Sequence, residues 1–545
     1  GKRLMAATLP QPETAAPRAG RPRGELIAYG VLVLVALALR LYDLGDRPFH
    51  HDESQDAYFS FLFKENGDYE YNPLLHGPLR FYLTAGIYAV LGDSDFTARL
   101  APALMGTAMV ALPYGLRAQL GRAGAFMAAV LLAFGPSYLY FSRFAREDIY
   151  IAAITLAMLV VAFRFFERPR RHQPALLGAL LALSFATKES TFITAFVAGT
   201  FFLAVLATRH RAVLVRPVRA VGLEAWGWAL AAFVGVYTLL FTTFLTHPEG
   251  VQGLWTGLDY WLGQHEVGRG GEPWYFYGLI LFGVEWPVLV LGAVGAGVAL
   301  RRPTLLRVFL VWAFVLSLVV YSWAGEKFAW LVLHPLLPLL LLAGVGAQAV
   351  WTARRRAMRV AGLAATALAL AYAGYASFLV NAVHRADPRE LLVSTQSSEA
   401  VARVADEVVA ARPSSITVDA SDGATFPWAW YFRDLPVEYL DLADRGEAPD
   451  SEVLILTEAA HERLAPELTG YRGREFPFRV WWVRDGSEMT PAAWWRWFTE
   501  RKPWNPTGGM SEWLYERRSS RHTAVPSRSS TRVPSTSHFA SPASP

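Results

Sequence analysis

The sequence predicts an all-α polytopic membrane domain of about eleven transmembrane helices and one amphipathic interfacial helix, followed by a small soluble α/β domain. The composition is the first reason. Of 545 residues, 53% are hydrophobic and only 18% are charged, and the mean hydropathy is +0.25, which is too apolar for a soluble protein of this size. The second reason is a series of long apolar runs between about Leu26 and Asn381. The third is the change after Asn381 to short alternating and amphipathic patterns.

Composition also limits the kinds of partner and site. The chain has no cysteine, which excludes disulfides, thiolate metal sites and cysteine nucleophiles. Its formal net charge is +5, but the basic residues form short clusters between apolar runs. Such clusters orient membrane helices, so we expect a lipid bilayer and no nucleic acid as a partner.

Four segments follow from these patterns. Residues 1–24 are polar and rich in Pro, Ala and Arg, which predicts a disordered cytoplasmic N-terminus. Residues 25–383 hold the transmembrane domain. Residues 388–500 read as an extracytoplasmic α/β domain. Residues 519–545 contain mainly Ser, Pro and Arg, which predicts a disordered tail.

The soluble domain has recognisable elements. An amphipathic helix is predicted over Glu399–Ala411, ended by Pro413. Short runs rich in β-branched and aromatic residues predict strands at Ile416–Ala420, Val453–Leu456 and Phe478–Val483.

The membrane spans are predicted from apolar runs close to the ~20 residues that cross a bilayer. They are 26–41, 100–116, 123–141, 149–166, 174–187, 190–208, 225–246, 277–300, 304–323, 328–350 and 360–381. The run Pro78–Leu91 is shorter and contains Arg80, so it is the doubtful one.

Charge distribution decides between two topologies. If 78–91 lies flat on the outer interface, every basic cluster falls on one side of the membrane. Those clusters are Arg18/Arg21/Arg23, Arg117/Arg122, Arg168/Arg170/Arg171, Arg209/Arg211/Arg216/Arg219, Arg301/Arg302 and Arg354/Arg355/Arg356/Arg359. The sequence therefore predicts eleven spans in the cytoplasmic membrane, with the N-terminus inside and the C-terminus outside.

Under that topology several polar segments converge on the outer face, which indicates a site there. They are His50–Asp56, Leu75–Pro78, Arg143–Asp148, Lys188-Glu189, the loop 247–275 and Gly325–Lys327.

Asp52 and Glu53 are the candidate catalytic residues. One carboxylate could act as a base while the other holds a hydroxyl or a cation, and close carboxylates raise each other's pKa. A solvated loop with helix-capping acids is the alternative. His76 is a candidate metal ligand or phosphate donor, and a simple surface histidine is its alternative.

The remaining candidates are mainly basic. Two arginines and two acids, Arg143, Arg146, Glu147 and Asp148, lie where a span leaves the membrane on the outer side. Arginine suits bidentate capture of phosphate, although an Arg143–Glu147 ion pair within one helix explains part of the pattern. The outward pairs Lys188-Glu189 and Glu326-Lys327 extend this candidate anion site, with snorkelling lysines as the alternative. Asp148 is the third candidate catalytic residue, after Asp52 and Glu53. Arg80 is a further candidate for binding the substrate or its phosphate.

These residues occur in motifs that resemble the GT-C membrane glycosyltransferases, closest to the protein O-mannosyltransferase and aminoarabinose-lipid A transferase branch. The motifs are Asp52-Glu53, Leu75-His76-Gly77-Pro78-Leu79, Gly92–Pro102 and Ser142–Asp148, and the resemblance covers residues 26–210. A narrower resemblance covers nearly the whole chain, to about residue 485, and is carried by Gly325–Leu331 and Trp428–Asp434. It is to prokaryotic membrane proteins described as flippase-activity-associated in archaeal surface glycosylation.

The resemblance implies a polyprenyl-phosphate-linked sugar as donor and an acceptor, protein or glycan, outside the membrane. It implies that Asp52 activates the acceptor hydroxyl, that Glu53 positions acceptor or sugar, and that attack inverts the anomeric carbon. Arg143, Arg146 and Lys327 would bind the departing phosphate. His76 fits the mannosyltransferase branch. A divalent metal held by Glu53 and His76 is a further expectation.

Two other function classes remain open. One is a lipid-linked sugar flippase, or a non-catalytic partner of one, and the other is a catalytically silent scaffold. A transporter usually places polar residues near the midplane of the bilayer, on broken helices. Here the acids lie in an outer loop, which favours the enzyme, and the deeper Glu285 is the one point in favour of transport.

Overall fold

The computed structural model describes residues 23–264, 270–445 and 447–518. The predicted disordered segments 1–24 and 519–545 lie outside these residues, except for Arg23 and Gly24, which begin the first helix. The described chain is a helical domain followed by a sheet-containing domain, in the order that the sequence predicts.

The helical domain contains nineteen α-helices within the described residues. They are α1 (Arg23–Leu41), α2 (His51–Asn66), α3 (Leu79–Leu91), α4 (Asp95–Ala98), α5 (Leu100–Ala111), α6 (Arg117–Leu120), α7 (Arg122–Phe134), α8 (Pro136–Ser142), α9 (Asp148–Glu167), α10 (Gln173–Phe185), α11 (Thr191–Leu206), α12 (Ala212–Ala220), α13 (Gly222–Phe241), α14 (Gly253–Gln264), α15 (Phe276–Gly283), α16 (Trp286–Arg301), α17 (Leu305–Trp323), α18 (Leu333–Trp351) and α19 (Arg356–Phe378).

Each predicted span coincides with one of these helices or with a helix pair, but not all are long. Six helical segments in the described residues are long and apolar enough to cross a membrane, or eight if each of two bent pairs is one span. The bent pairs are α7 with α8, at 53°, and α15 with α16, at 96°. The protein is therefore a multi-pass membrane protein, and the count of eleven crossings stays a prediction.

Local sequence explains the breaks. Gly135 and Pro136 separate α7 from α8, because proline has no backbone N–H to continue the helix but suits its first turn. Glycine allows the close contact of α16 with α18, since a Cβ on Gly295 would lie 1.9 Å from the Leu342 carbonyl oxygen. The core of this domain is the almost completely buried α18.

In its described residues, the C-terminal domain is one mixed six-stranded sheet with four α-helices. The strands are β1 (Gln396–Ser397), β2 (Ile416–Asp419), β3 (Val437–Leu440), β4 (Val453–Thr457), β5 (Tyr471–Trp481) and β6 (Gly508–Arg517), and the helices are α20 (Glu399–Ala411), α21 (Thr425–Tyr431), α22 (Glu458–Leu464) and α23 (Pro491–Glu500). The order is β1-β5-β6-β4-β2-β3, with β2 parallel to β3 and β4 and the other pairs antiparallel.

The α/β interpretation and the predicted helix at 399–411 agree with these elements. One boundary differs. β6 lies beyond residue 500, the predicted end of the domain, and it pairs with both β4 and β5 in the middle of the sheet. The strand was missed because it begins with two glycines and then mixes charged and aromatic residues without clean alternation.

Candidate functional site

The loop before α2 and the first turn of that helix form the base of the site. His50 is the N-cap: its Nδ1 accepts the Asp52 backbone N–H at 3.0 Å, and its own backbone N–H donates to Glu53 Oε2 at 3.1 Å. This reciprocal capping box fixes the start of the helix. It also places Asp52 and Glu53 on different sides of the helix, so the two adjacent acids have different surroundings.

Glu53 is fully buried, and its hydrogen bonds stabilise the loop that precedes α2. Its Oε1 accepts from Arg47 Nη2 at 3.0 Å, Arg99 Nε at 2.9 Å and the Ala145 backbone N–H at 2.8 Å. Its Oε2 accepts from Arg99 Nη2 at 3.0 Å, besides His50. Burial alone would raise the pKa of Glu53, but Arg47 and Arg99 lower it to about 2.

These contacts correct two expectations for Glu53. Five hydrogen bonds occupy both carboxylate oxygens, so neither is directed to a metal ion or to an acceptor sugar. Glu53 is instead the residue that joins the Asp52 loop to Arg99 in the Gly92–Pro102 motif and to the backbone before α9.

Asp52 faces the other way and remains accessible. Its side chain is 27% exposed and forms an ion pair with Arg146. Burial favours a higher pKa for Asp52, but Arg146, His50 and His51 outweigh burial and hold the pKa below its ordinary value. Neither carboxyl group therefore has the raised pKa that was expected, because Arg146 and two histidines lower the pKa of Asp52 and two arginines lower that of Glu53.

Arg80 lies between two carboxylates instead of facing a phosphate. It is buried and forms ion pairs with Asp56 and Glu147. Burial raises the pKa of Asp56 well above its ordinary value, with Arg80 opposing and Glu147 adding to the effect. Burial opposes ionisation of Glu147 too, but Arg146 and Arg80 lower its pKa to about 2. Asp56 is thus the carboxyl of this group that most readily holds a proton.

A second buried group lies at the ends of three membrane helices. Lys188 Nζ is 3.1 Å from both Asp148 oxygens, and His334 Nε2 donates to Asp148 Oδ1 at 3.1 Å. Nearby, His76 Nδ1 donates to Glu189 Oε2 at 2.7 Å. Arg146 joins Asp52 to the Arg80 group, since it pairs with Asp52 and its Nε is 3.4 Å from Glu147 Oε2.

Three residues of the predicted anion site, Arg143, Glu326 and Lys327, have other surroundings. Arg143 Nη2 donates to the backbone oxygens of Tyr42, at 2.6 Å, and Asp43, at 3.1 Å, so it secures the end of α1. The predicted Arg143–Glu147 pair is replaced by Glu147 pairing with Arg80 and Arg146. Lys327 Nζ donates to the Ala324 oxygen at 2.5 Å, and the adjacent Glu326 is half-buried.

Aromatic rings surround this charged centre. The Arg146 guanidinium lies 4.6 Å from the centroid of the Trp330 ring, and the edge of the His50 ring packs on the same indole at 5.7 Å. Phe328 and Phe144 stack on Trp330 as well. Arginine over an indole keeps part of its hydrogen-bonding capacity free for another partner.

An apolar cavity of about 310 Å³ opens between α9, α10, α11, α17 and α18. Its walls are mostly aliphatic and aromatic, and His334 lies at its polar end beside Tyr321, whose ring stacks on the His334 ring at 4.9 Å. His334 therefore connects the lining of the cavity to the Asp148 carboxylate.

The C-terminal domain covers the other side of the Asp52 loop. Arg479 Nη2 donates to His51 Nδ1 at 2.9 Å, and the Phe49 backbone N–H donates to the Tyr431 hydroxyl at 3.0 Å. In the Trp428–Asp434 motif, Trp430 Nε1 donates to Asp95 Oδ1 at 2.8 Å and Arg433 Nε donates to Asp93 Oδ2 at 2.8 Å. This motif is thus a junction between the two domains.

The sequence interpretation did not assign roles to His334, Asp56 or Arg479. His334 is a single histidine in an apolar run, a pattern more often found in a protein core, and Arg479 is one of several arginines in a strand. Glu285, the residue that favoured transport, accepts a hydrogen bond from the Ser137 backbone N–H at 2.9 Å and so caps α8.

The expected metal site does not fit this arrangement. Within residues 23–264, 270–445 and 447–518, no group of three or more His, Asp or Glu side chains is placed to hold a metal ion. Glu53 has no free lone pair for a cation, and His76 is bound to Glu189 and not to Glu53. The described residues therefore do not offer the expected metal site at Glu53 and His76.

Comparisons agree with the fold. Residues 75–240 match the family model described as dolichyl-phosphate-mannose-protein mannosyltransferase. Among curated proteins, none matches this sequence.

Two solved structures show the likeness in three dimensions. ArnT from Cupriavidus metallidurans bound to undecaprenyl phosphate is 16% identical, with a TM-score of 0.58 over 82% of this chain and 95% of that one. The archaeal oligosaccharyltransferase AglB from Archaeoglobus fulgidus, in complex with an inhibitory peptide and a dolichol-phosphate, is 14% identical, with a TM-score of 0.50 over 75% of this chain and 59% of that one. The chain therefore has the fold of the GT-C superfamily of membrane glycosyltransferases, with the mannosyltransferase family pattern over residues 75–240.

Proposed function

We propose that the protein transfers a sugar from a polyprenyl-phosphate donor to an acceptor hydroxyl at the outer face of the cytoplasmic membrane. One observation carries the proposal: the apolar cavity between membrane helices ends at His334, beside the Asp148–Lys188 pair. A ligand that suits it has an apolar tail and an anionic head. The undecaprenyl phosphate of ArnT and the dolichol-phosphate of AglB have this chemistry.

The candidate cations for the donor phosphate are Lys188, His334, Arg146 and Lys327. Lys188 and His334 both bind Asp148, and Arg146 is shared between Asp52 and Glu147. Lys327 bonds only to the Ala324 backbone oxygen among the contacts of the described residues, so its charge is available to an anion. A phosphate would compete with these carboxylates for the same donors, and charged hydrogen bonds to it would be worth roughly 1.5–3 kcal/mol each.

Asp52 is the proposed base. In the transfer step, the acceptor hydroxyl oxygen forms a bond to the anomeric carbon while the bond from that carbon to the phosphate oxygen breaks. The bonding electrons remain on the phosphate, and the hydroxyl proton passes to the Asp52 carboxylate. Attack from the face opposite the phosphate inverts the configuration. The low pKa of Asp52 keeps it ionised, and a shift of Arg146 from Asp52 toward the leaving phosphate would make the carboxylate more basic during the step.

The position of the charged groups also favours this proposal over transport. Asp148 begins α9, Lys188 follows α10, and His334 is in the first turn of α18, so all three lie at helix ends. A midplane site on broken helices would be expected of a transporter.

The test is sugar transfer from a radiolabelled polyprenyl-phosphate sugar in membranes that contain the natural acceptor. Asp52→Asn should reduce transfer by roughly a hundredfold or more, the scale of general-base loss, because an amide cannot take the proton. Donor binding should change little. Asp68→Asn is the control, because Asp68 is an exposed acid that follows the same helix. No transfer by the wild type across a broad donor panel would favour the flippase or flippase-partner alternative.

A further inference from the structure

Helix α23 has an unusual composition for a helix of a soluble domain. Its ten residues, Pro491–Glu500, include three tryptophans, at 494, 495 and 497, and Phe498. Thr490 caps its start by accepting the Ala493 backbone N–H at 3.2 Å. Only Ala493 and Trp497 are fully buried, so most of this aromatic surface is not used by the core of its own domain.

The buried side of α23 packs on membrane helices. A Cβ on Gly283, at the end of α15, would lie 2.7 Å from the Trp497 ring and 3.0 Å from the Trp494 ring, so glycine is what permits this contact. The Phe498 ring stacks on Tyr372 of α19 at 5.3 Å. The Tyr372 hydroxyl in turn bonds to the Gly283 backbone oxygen. Helix α23 therefore fills the space opened by the 96° bend between α15 and α16.

Helix geometry gives the depth of this contact. Tyr372 is sixteen residues from Arg356, the start of α19, or about 24 Å along the helix at 1.5 Å per residue. Trp286 is fifteen residues from Arg301 at the other end of α16, or about 22 Å. Because the hydrocarbon core is about 30 Å thick, both values place α23 near the boundary of the leaflet opposite these basic helix ends.

The outer surface of α23 continues the lipid-facing surface of the membrane helices. Trp495 is 63% exposed, and its ring contacts the Phe498 ring at 5.8 Å. Phe498 in turn stacks on Tyr372, whose ring contacts Trp286 at 5.2 Å. Phe282, beside Gly283, is 66% exposed, and Phe378 of α19 is 59% exposed.

We propose that α23 is an interfacial membrane-binding helix, which immerses one edge of the C-terminal domain in the adjacent lipid leaflet. Tryptophan favours the membrane interface because its ring is apolar and its N–H is polar. The exposed Arg496 and Lys502 lie in and directly after the same helix and suit anionic lipid headgroups. The inference depends on the multi-pass fold and not on the proposed transferase activity.

The experiment uses the full chain, because it has no native cysteine that would compete for labelling. Trp495→Cys is spin-labelled and reconstituted in vesicles of phosphatidylethanolamine and phosphatidylglycerol. Collision rates are measured with oxygen, which concentrates in lipid, and with a water-soluble nickel chelate. Leu368→Cys, at an exposed position in α19, is the lipid control, and Asp406→Cys, at an exposed position in α20, is the water control.

The label at 495 should resemble the label at 368, with high oxygen and low nickel accessibility. High nickel accessibility, as at 406, would overturn the proposal by placing α23 in water. Low accessibility to both reagents would also overturn it, because the helix would then be covered by protein, such as a second copy of the chain. Trp495 is largely exposed, so its replacement should not affect folding, and unchanged gel-filtration elution checks this.

Discussion

Lys188 Nζ lies 3.1 Å from each carboxylate oxygen of Asp148, and both side chains are almost completely buried. If a donor phosphate competes with Asp148 for this ammonium group, removing the charge should weaken donor binding. Lys188→Gln should lower the affinity for a polyprenyl phosphate about ten- to a hundredfold, the equivalent of one charged hydrogen bond. Binding is measured with the purified variant by native mass spectrometry.

Arg143→Gln is the matched control for this prediction. Arg143 was also a candidate phosphate ligand, but its guanidinium bonds to the backbone oxygens of Tyr42 and Asp43. Its replacement should leave donor affinity nearly unchanged. Weaker binding by Arg143→Gln, with normal binding by Lys188→Gln, would place the phosphate near the end of α1 and not at Asp148.

The cavity gives a second prediction, which concerns the lipid tail. Ala198 lines the cavity on α11, and Ala198→Phe should fill part of its ~310 Å³. Donor affinity should then fall, while binding of a short water-soluble phosphate sugar should not. Ala367→Phe, at an exposed position in α19 outside the cavity lining, adds the same bulk as a control. Equal effects of the two substitutions on donor binding would contradict the assignment of the cavity.

Glu53 gives a prediction about stability. Glu53→Gln removes the charge that compensates buried Arg47 and Arg99, and breaking a buried ion pair typically costs about 3–5 kcal/mol. The variant should therefore melt at clearly lower temperature in detergent. Glu65→Gln on the same helix removes an exposed partner of Lys64 and should leave the melting temperature nearly unchanged. A Glu53→Gln variant that melts like the wild type would show that the buried network is not needed for the fold.

His50 gives a prediction about pH. Burial lowers its pKa from 6.5 to about 4, with Asp52 and Glu53 opposing. Because the folded state disfavours the charged ring, this contribution to stability is complete above pH 6.5 and is lost as the pH falls toward 4. Between pH 7 and 5 the loss should be roughly 2 kcal/mol from this group.

The variant His50→Asn isolates the effect. Asparagine can still accept the Asp52 N–H as an N-cap, but it does not titrate. The decrease in melting temperature between pH 7 and 5 should therefore be smaller in the variant than in the wild type. Parallel pH curves for the two proteins would mean that His50 is not the group responsible.

The fold class, and which loops come together, could be predicted from the sequence. The reason is that the bilayer itself requires apolar runs of a certain length and basic clusters on one side. The sequence was not sufficient for the partners of each charge. The Arg143–Glu147 pairing assumed one continuous helix, but α8 ends at Ser142 and α9 begins at Asp148, so the helical spacing does not apply. The Asp148–His334 contact joins residues 186 positions apart, and no local pattern indicates it.

The contact of Arg479 with His51 has a consequence for biosynthesis. The two residues are 428 positions apart, and the strand that carries Arg479 pairs with Gly508–Arg517, close to the last described residue. At about 5–20 residues per second, a ribosome needs roughly 20 to 90 s to make the intervening chain. During that interval the segment His50–Asp56 has already been made but lacks the C-terminal domain that covers it. The charged site of a nascent chain thus remains uncovered for most of its synthesis. A chain that stops before β6 would never complete the sheet that covers the site.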